Sequence, residues 1–102
     1  MSFQSFTFSS QNSNFTAASG FHYSISTPAV GNVTVTLPAI SGLSAGDTLR
    51  IKFASQSGAG TIVVQSTGLD TIDTSSSDLA VNTLYSSVTF VANTSQTDWE
   101  LI

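Results

Sequence analysis

The sequence predicts an all-β fold, a small antiparallel β-sandwich or jelly-roll-like barrel with an extended N-terminal arm. Short segments alternate apolar and polar residues with the period of 2 that is typical of strands. These segments recur about every 10–14 residues with Gly, Pro or Asn between them, which is the spacing of a sandwich or barrel. No segment of ten residues shows helical periodicity. At 102 residues the chain is long enough for one domain, which we place at residues 21–102.

Residues 1–20 are predicted to be an extended arm or a first strand. They carry Phe3, Phe6, Phe8 and Phe15 among Ser, Gln, Asn and Thr, without a steady period. As a strand, this segment would complete the core with its phenylalanines. As an arm, it would dock on another subunit, because large aromatic side chains are effective anchors in partner pockets. We therefore predict these four residues as partner or assembly contacts.

The first clear strand is predicted at residues 21–26. Here Phe21, Tyr23 and Ile25 share one face, and Pro28 ends the pattern because it cannot donate to a ladder. The strands that follow are predicted at residues 33–37, 48–54, 61–66, 79–81, 84–92 and 97–102. Residues 39–47, with two glycines, are predicted to form a loop with a short turn.

Three of these strands carry further information. In residues 48–54 the two cations of the chain, Arg50 and Lys52, are predicted to point outward. Residues 61–66 are β-branched on both faces, which predicts burial on both by a second sheet or a partner. In the last strand, Trp99 and Leu101 share a face.

The composition indicates a surface made for packing against neighbours. Charged residues make up only 8% of the chain, against roughly 25% in an average soluble domain. About a third of the residues are Ser or Thr, so hydroxyl groups must form much of the surface. Such a surface contacts a partner without desolvating many charges.

The charge balance and the absence of cysteine exclude several classes of function. The net charge is −4 with two fixed cations, so no basic stripe can neutralise several phosphates, and we expect neither nucleic acid nor a membrane as partner. Without cysteine the chain has no disulfide, thiolate metal site or cysteine nucleophile. The N-terminus lacks the basic and apolar regions of a signal peptide, so we expect assembly in the cytoplasm.

No catalytic, cofactor-binding or metal-ligating residue is predicted, and we expect no enzymatic activity. His22 is the one histidine, and no Gly-x-Ser-x-Gly elbow is present for a serine nucleophile. The acidic residues stand in turns or on polar strand faces, where Asp caps its own backbone. Asp70, Asp73 and Asp78 form an acidic group for which Ca²⁺ binding is an open alternative.

One further aromatic group offers two interpretations. Trp99, together with Tyr23 or Tyr85, would provide a stacking platform for a sugar. A tryptophan that alternates with Leu101 on a terminal strand is also typical of a core position, and we favour that interpretation.

A succession of short motifs spans about residues 30–102. The motifs are VTVTLP at 33–38, GDTLRIK at 46–52, GTIVV at 60–64, GLDTID at 68–73, SVTFV at 87–91 and DWELI at 98–102. In this order they resemble small β-domains of tailed-bacteriophage virion proteins. The resemblance implies a homotrimeric, non-enzymatic particle component that sits at a fibre tip or decorates a capsid.

Between these two roles we favour decoration. We expect the 102 residues to be complete, without the shaft of a fibre, and residues 1–20 to clamp neighbouring shell subunits. The expected function is that of a capsid decoration or cement protein on the virion surface, assembled in the host cytoplasm. Its expected partners are its own copies and the major capsid protein or another virion protein. The alternative is a tail-fibre head or a receptor- or carbohydrate-binding module.

Overall fold

The computed structural model describes residues 6–102, and within them it shows two β-sheets packed face to face. The strands are β1 (Thr7–Gln11), β2 (Phe15–Thr16), β3 (Phe21–Thr27), β4 (Val33–Thr36), β5 (Thr48–Gln56), β6 (Ile62–Gln65), β7 (Thr71–Ile72), β8 (Leu79–Val81), β9 (Ser87–Asn93) and β10 (Asp98–Leu101). One 3₁₀ turn, Ile40–Gly42, lies in the segment that was predicted as a loop with a short turn. The predicted all-β sandwich is therefore confirmed.

The two sheets are mixed, so the prediction of antiparallel pairing is wrong in this respect. Sheet A has the order β1-β3-β5-β9-β10-β7, and sheet B has the order β2-β4-β6-β8. Five of the eight strand pairs described are parallel. The reason is the path of the chain, which alternates between the sheets from β1 to β6. Successive strands of one sheet therefore enter it in the same direction.

This path makes three stacked coils, each with one strand in sheet A and one in sheet B. Tyr23 of the second coil lies beside Ile51 of the third in sheet A. Val33 lies beside Ile62 in the same way in sheet B. Because paired residues keep the same inward or outward orientation, each coil adds one layer of apolar side chains to a shared core.

The connections between the coils pack so closely that only glycine fits. A Cβ atom at Gly60 would lie 1.9 Å from the carbonyl oxygen of Gly31. A Cβ atom at Gly58 would lie 2.3 Å from the carbonyl oxygen of Ala29. The connection from β5 to β6 therefore rests directly on the backbone of the connection from β3 to β4.

Two asparagines join successive coils at the entrance to sheet B. The Asn14 Oδ1 atom accepts the backbone N–H of Thr34 at 2.8 Å. One coil later, the Asn32 Oδ1 atom accepts the backbone N–H of Thr61, also at 2.8 Å. These side chains satisfy backbone donors at the starts of the strands in sheet B.

The core lies between the sheets and is built from the inward positions of most strands. Its largest fully buried side chains are Trp99, Phe53 and Phe90. In β6, Ile62 and Val64 are buried whereas Val63 faces outward and is half-buried. Within the described residues, sheet A buries only the inner face of this strand, so a second sheet does not cover its outer face, and burial of that face by a partner stays a prediction.

Candidate binding edge and outer face of sheet A

The structure places the predicted aromatic contacts in different environments. Phe3 lies outside the described residues. The Phe6 ring stacks on the His22 ring, with centroids 4.0 Å apart. Phe8 on β1 is 70% exposed. Phe15 is partly buried against the core, where its ring lies 4.7 Å from that of Tyr23. The structure thus brings Phe6 and Phe8 to one face of sheet A and directs Phe15 to the core.

β1 forms an open edge of sheet A. It pairs in parallel with β3 on one side, and no strand among residues 6–102 pairs with its other side. The Thr7 N–H donates to the oxygen of Gly20, just before β3, at 2.9 Å. The backbone groups of Thr7 therefore point toward β3. Because backbone groups alternate between the two sides of a strand, Phe8 and Ser10 present theirs to the open side.

This edge lacks the features that usually protect an edge strand. Natural edges carry charges, proline or a bulge, or they are very short. The sequence of β1, TFSSQ, contains no charge and no proline. The other described edge strands, β2, β7 and β8, have only two or three residues each. β1 is therefore the described edge best suited to pair with another strand.

The outer face of sheet A collects the cations and three aromatic side chains, since Phe6 stacks on His22 there. Phe8, His22, Arg50 and Thr89 lie in one row across four neighbouring strands. The alternation in residues 48–54 predicts that Arg50 points outward. It does not predict that Arg50 shares a row with His22 and Phe8, because alternation does not specify the register between strands that are distant in sequence.

A second row on this face is made of hydroxyl groups around the other cation. Ser10, Ser24, Lys52 and Ser87 lie side by side across the same strands. We call the two rows together the sheet A face. Both fixed cations of the chain, Arg50 and Lys52, lie on this face and on the same strand, β5.

The two cations of the sheet A face are exposed. The Arg50 Nε–H donates to the Thr89 Oγ1 atom at 2.9 Å, which orients the guanidinium group over β9. Within residues 6–102, neither Arg50 nor Lys52 forms a hydrogen bond with a carboxylate. Their remaining N–H groups face solvent, so they are available to a ligand.

Most of the acidic side chains that form hydrogen bonds accept them from backbone N–H groups, as the prediction of Asp caps in turns implies. Asp47 accepts the N–H of Ser44 at 2.9 Å, and Asp70 accepts the N–H of Ile40 at 2.9 Å. Asp73 accepts the N–H of Leu101 at 3.1 Å. In the part of the chain that the structure describes, no three His, Asp or Glu side chains are grouped so that they could hold a metal ion.

An open cavity of about 230 Å³ lies where the ends of the two sheets meet. It is lined by Ile72, Asp73, Ser75, Ser77, Asp78, Leu79 and Leu101. Typical ligand pockets measure about 300–1,000 Å³ and enclose most of the ligand. Asp70 is not among the lining residues, since its carboxylate caps Ile40. Two of the three acids that were grouped from the sequence, Asp73 and Asp78, therefore line the same cavity.

Asp98 stabilises the strand pair β7 and β10. It is only 3% exposed, and its Oδ1 atom accepts hydrogen bonds from the Thr71 hydroxyl and, at 2.8 Å, from the Thr74 N–H. Thr74 has a φ of +65°, a conformation that this bond helps to hold.

We expect Asp98→Ala to lower the free energy of unfolding by about 1–3 kcal/mol, because it leaves both donors without their acceptor. Asp98→Asn keeps the Oδ1 acceptor and should lose less than half as much. Urea denaturation of the two variants measures the difference. Equal losses would show that the accepted hydrogen bonds are not what Asp98 contributes.

The aromatic residues weighed as a sugar platform separate into core and surface. Trp99 is fully buried and Tyr23 is 5% exposed, so the core interpretation of Trp99 is confirmed and a platform made from these two rings is excluded. Burial raises the pKa of the Tyr23 hydroxyl above its usual 10.0, while its hydrogen bond from the Ala18 N–H lowers it. Tyr85 is 67% exposed on the loop before β9.

No protein-family model and no curated protein matches this chain. No helix within residues 6–102 has the length and apolar character needed to cross a membrane. What is proposed for function therefore depends on the open edge, on the sheet A face and on the resemblance in motif order.

Proposed function

We propose that the protein is a non-enzymatic assembly protein that joins another chain through the open edge of β1. The observation that supports this most is the unprotected five-residue edge, on which Phe8 and Ser10 present backbone groups outward. An added strand gains main-chain hydrogen bonds there, and side-chain contacts then select the partner. Phe8, which is 70% exposed beside this edge, is the described aromatic residue best placed for such a contact.

The surface composition supports the same function. Assembly interfaces are depleted in charge at their centres. With 8% charged residues and abundant Ser and Thr, this chain buries surface against a neighbour with few ions to desolvate. Its hydroxyl groups also find new hydrogen-bond partners in an interface.

We further propose that the assembly is a homotrimer, in which the β1 edge of each copy contacts a different surface of the next copy, and that it decorates a phage capsid and reinforces it where shell subunits meet. The support for this step is the ordered resemblance of residues 30–102 to small virion β-domains. The mechanism is mechanical, since added contacts hold shell subunits together. Three linked copies bind three shell sites at once, so their avidity exceeds the affinity of one contact.

The edge is tested by Ser10→Pro. Proline removes the N–H that Ser10 presents to the open side and leaves the hydrogen bonds to β3 in place, as edge positions tolerate. We expect the oligomer to dissociate at least about tenfold more readily, as loss of an interface hydrogen bond and of strand fit implies. Sedimentation velocity over a concentration series measures this.

The matched control is Ser76→Pro, which makes the same substitution in an exposed loop outside the strands. It should leave the sedimentation coefficient unchanged. If Ser10→Pro assembles as the parent does, the β1 edge is not the interface. If the parent is a monomer at every concentration, self-assembly itself is wrong.

The capsid role is tested by counting copies of the chain per virion by mass spectrometry against the major capsid protein. Hundreds of copies in fixed ratio to the shell protein are expected for decoration. A few tens or fewer would contradict decoration and favour a tail or fibre component. Absence from the particle would overturn the virion proposal.

A second candidate function is that of a receptor- or carbohydrate-binding module. The observation that favours it is the sheet A face, where the exposed Phe8 ring stands in line with His22 and Arg50. An exposed aromatic ring with hydrogen-bond donors in the same row suits a sugar ligand. Assembly uses the outward backbone groups of β1, but both functions use the Phe8 ring, so a partner that covers this ring would compete with the sugar for it.

A further inference from the structure

We propose that the sheet A face binds an acidic sugar chain, that is, an oligosaccharide with carboxylate groups. This inference rests on the second candidate function, and it shares the Phe8 ring with the assembly proposed through β1. It gives a role to the one place where the chain concentrates positive charge.

The position of the cations is the first reason. In a protein of net charge −4, both fixed cations stand two residues apart on β5 and point to the same side. The described acid nearest in the same sheet face is Glu100, on β10, two strands away. With strands about 4.8 Å apart, that separation is roughly 10 Å, about one Debye length at physiological salt. The local field is therefore set by Arg50 and Lys52.

The orientation of Arg50 is the second reason. Its Nε–H is held by Thr89 at 2.9 Å, so the guanidinium group is positioned before a ligand arrives. The remaining N–H groups of the fork are free to donate two parallel hydrogen bonds to a carboxylate. A positioned donor loses less entropy on binding than a free side chain does.

The neighbours of the cations indicate a sugar. Phe8, 70% exposed, lies two strands from Arg50 in the same row, about 10 Å away. His22 lies between them and carries the stacked Phe6 ring, so a sugar chain with one ring on Phe8 and a carboxylate at Arg50 would pass over Phe6. The row of Ser10, Ser24 and Ser87 around Lys52 offers hydroxyl groups to those of the sugar.

Other anionic partners fit this face less well. A nucleic acid needs several cations along its backbone, and two are present here. An acidic peptide would use the cations but not the exposed ring and the flat row of hydroxyl groups. The combination of two cations, an aromatic ring and serines is what favours the acidic sugar.

The test is an NMR titration of the ¹⁵N-labelled protein with trigalacturonate and, as matched ligand, its methyl ester, which has the same rings without charge. We expect the acid to bind about tenfold more tightly than the ester at low salt, with shifts in β1, β3 and β5. Arg50→Gln and Lys52→Gln should each weaken binding of the acid about threefold, because exposed charge pairs contribute modestly, and the double variant about tenfold. The control is Val30→Ser, at an 88% exposed position outside the sheet A face, and it should leave the affinity for the acid unchanged.

Three results would overturn the inference. Equal binding of acid and ester would contradict the role of the cations while leaving carbohydrate binding in place. Tighter binding of a pentaglutamate peptide would identify an acidic protein segment as the partner. No shift with either sugar at millimolar concentration would overturn this inference and the second candidate function together. Unchanged thermal unfolding of the variants shows that none of these results comes from misfolding.

Discussion

Trp99→Ala should lower the free energy of unfolding by about 3–5 kcal/mol, the range found when a large buried aromatic residue is truncated. The Trp99 side chain is fully buried in the core, and no other core side chain described is larger. Natural domains are stable by about 5–15 kcal/mol in total, so the variant should unfold at much lower temperature or urea concentration. Urea denaturation followed by circular dichroism measures the loss.

Trp99→Phe separates volume from hydrogen bonding. The Trp99 Nε1–H is buried without a described partner, so phenylalanine removes an unsatisfied donor as well as volume. We expect a loss of less than about half that of the alanine variant. Leu69→Ala is the control, since Leu69 is 97% exposed, and should be neutral. A Trp99→Ala loss as small as that of the control would contradict the placement of Trp99 in the core.

Gly60→Ala should lower the free energy of unfolding by about 3 kcal/mol, at the upper end of the cost of overpacking. The new Cβ would lie 1.9 Å from the Gly31 carbonyl oxygen, a backbone atom that cannot move without separating two coils. Thermal denaturation with calorimetry measures the loss.

Gly42→Ala is the matched control for this prediction. Nothing lies within 4 Å of a Cβ atom at Gly42, and the residue is exposed in the 3₁₀ turn. We expect a change within about 0.5 kcal/mol. If the two variants are equally stable, the connections do not stack as described, and the three-coil arrangement is wrong.

The sequence was sufficient to predict the segments that contain β3 to β6 and β8 to β10, but β7 lies outside every predicted strand. The alternation in β3, β4, β5 and β10 depends on one buried and one solvated face, and that pattern is readable along the chain. β1 was ambiguous because both of its faces are at least partly accessible, so no apolar period appears. The parallel pairing was not predictable, because alternation specifies a face and not the neighbour or the direction of the chain.

The candidate site was only partly predictable for the same reason. The outward orientation of Arg50 and Lys52 followed from their spacing of two residues. The position of Arg50 in one row with His22 and Phe8, and of Lys52 in one row with Ser24 and Ser10, depends on the register between β1, β3 and β5, which the connections set. The grouping of Asp70 with Asp73 and Asp78 was a consequence of sequence proximity, and strand β7 separates Asp70 from the other two.

The coil arrangement and the proposed function are linked by the first coil. Each later coil rests on the one before it, so β1 has a described neighbour on one side only. A strand of a second chain that pairs there would continue sheet A through the backbone groups that Phe8 and Ser10 present to the open side. This continuation is the central claim of the proposed assembly.

Amide hydrogen exchange of β1, resolved by residue with NMR at high and low protein concentration, tests that claim most directly. The Phe8 and Ser10 amides should exchange slowly when the protein is assembled and rapidly after dilution, because their N–H groups point to the open side. The Ser9 amide, which points to β3, should be protected to a similar degree in both conditions. Rapid exchange of Phe8 and Ser10 in the assembled protein would contradict assembly through the β1 edge.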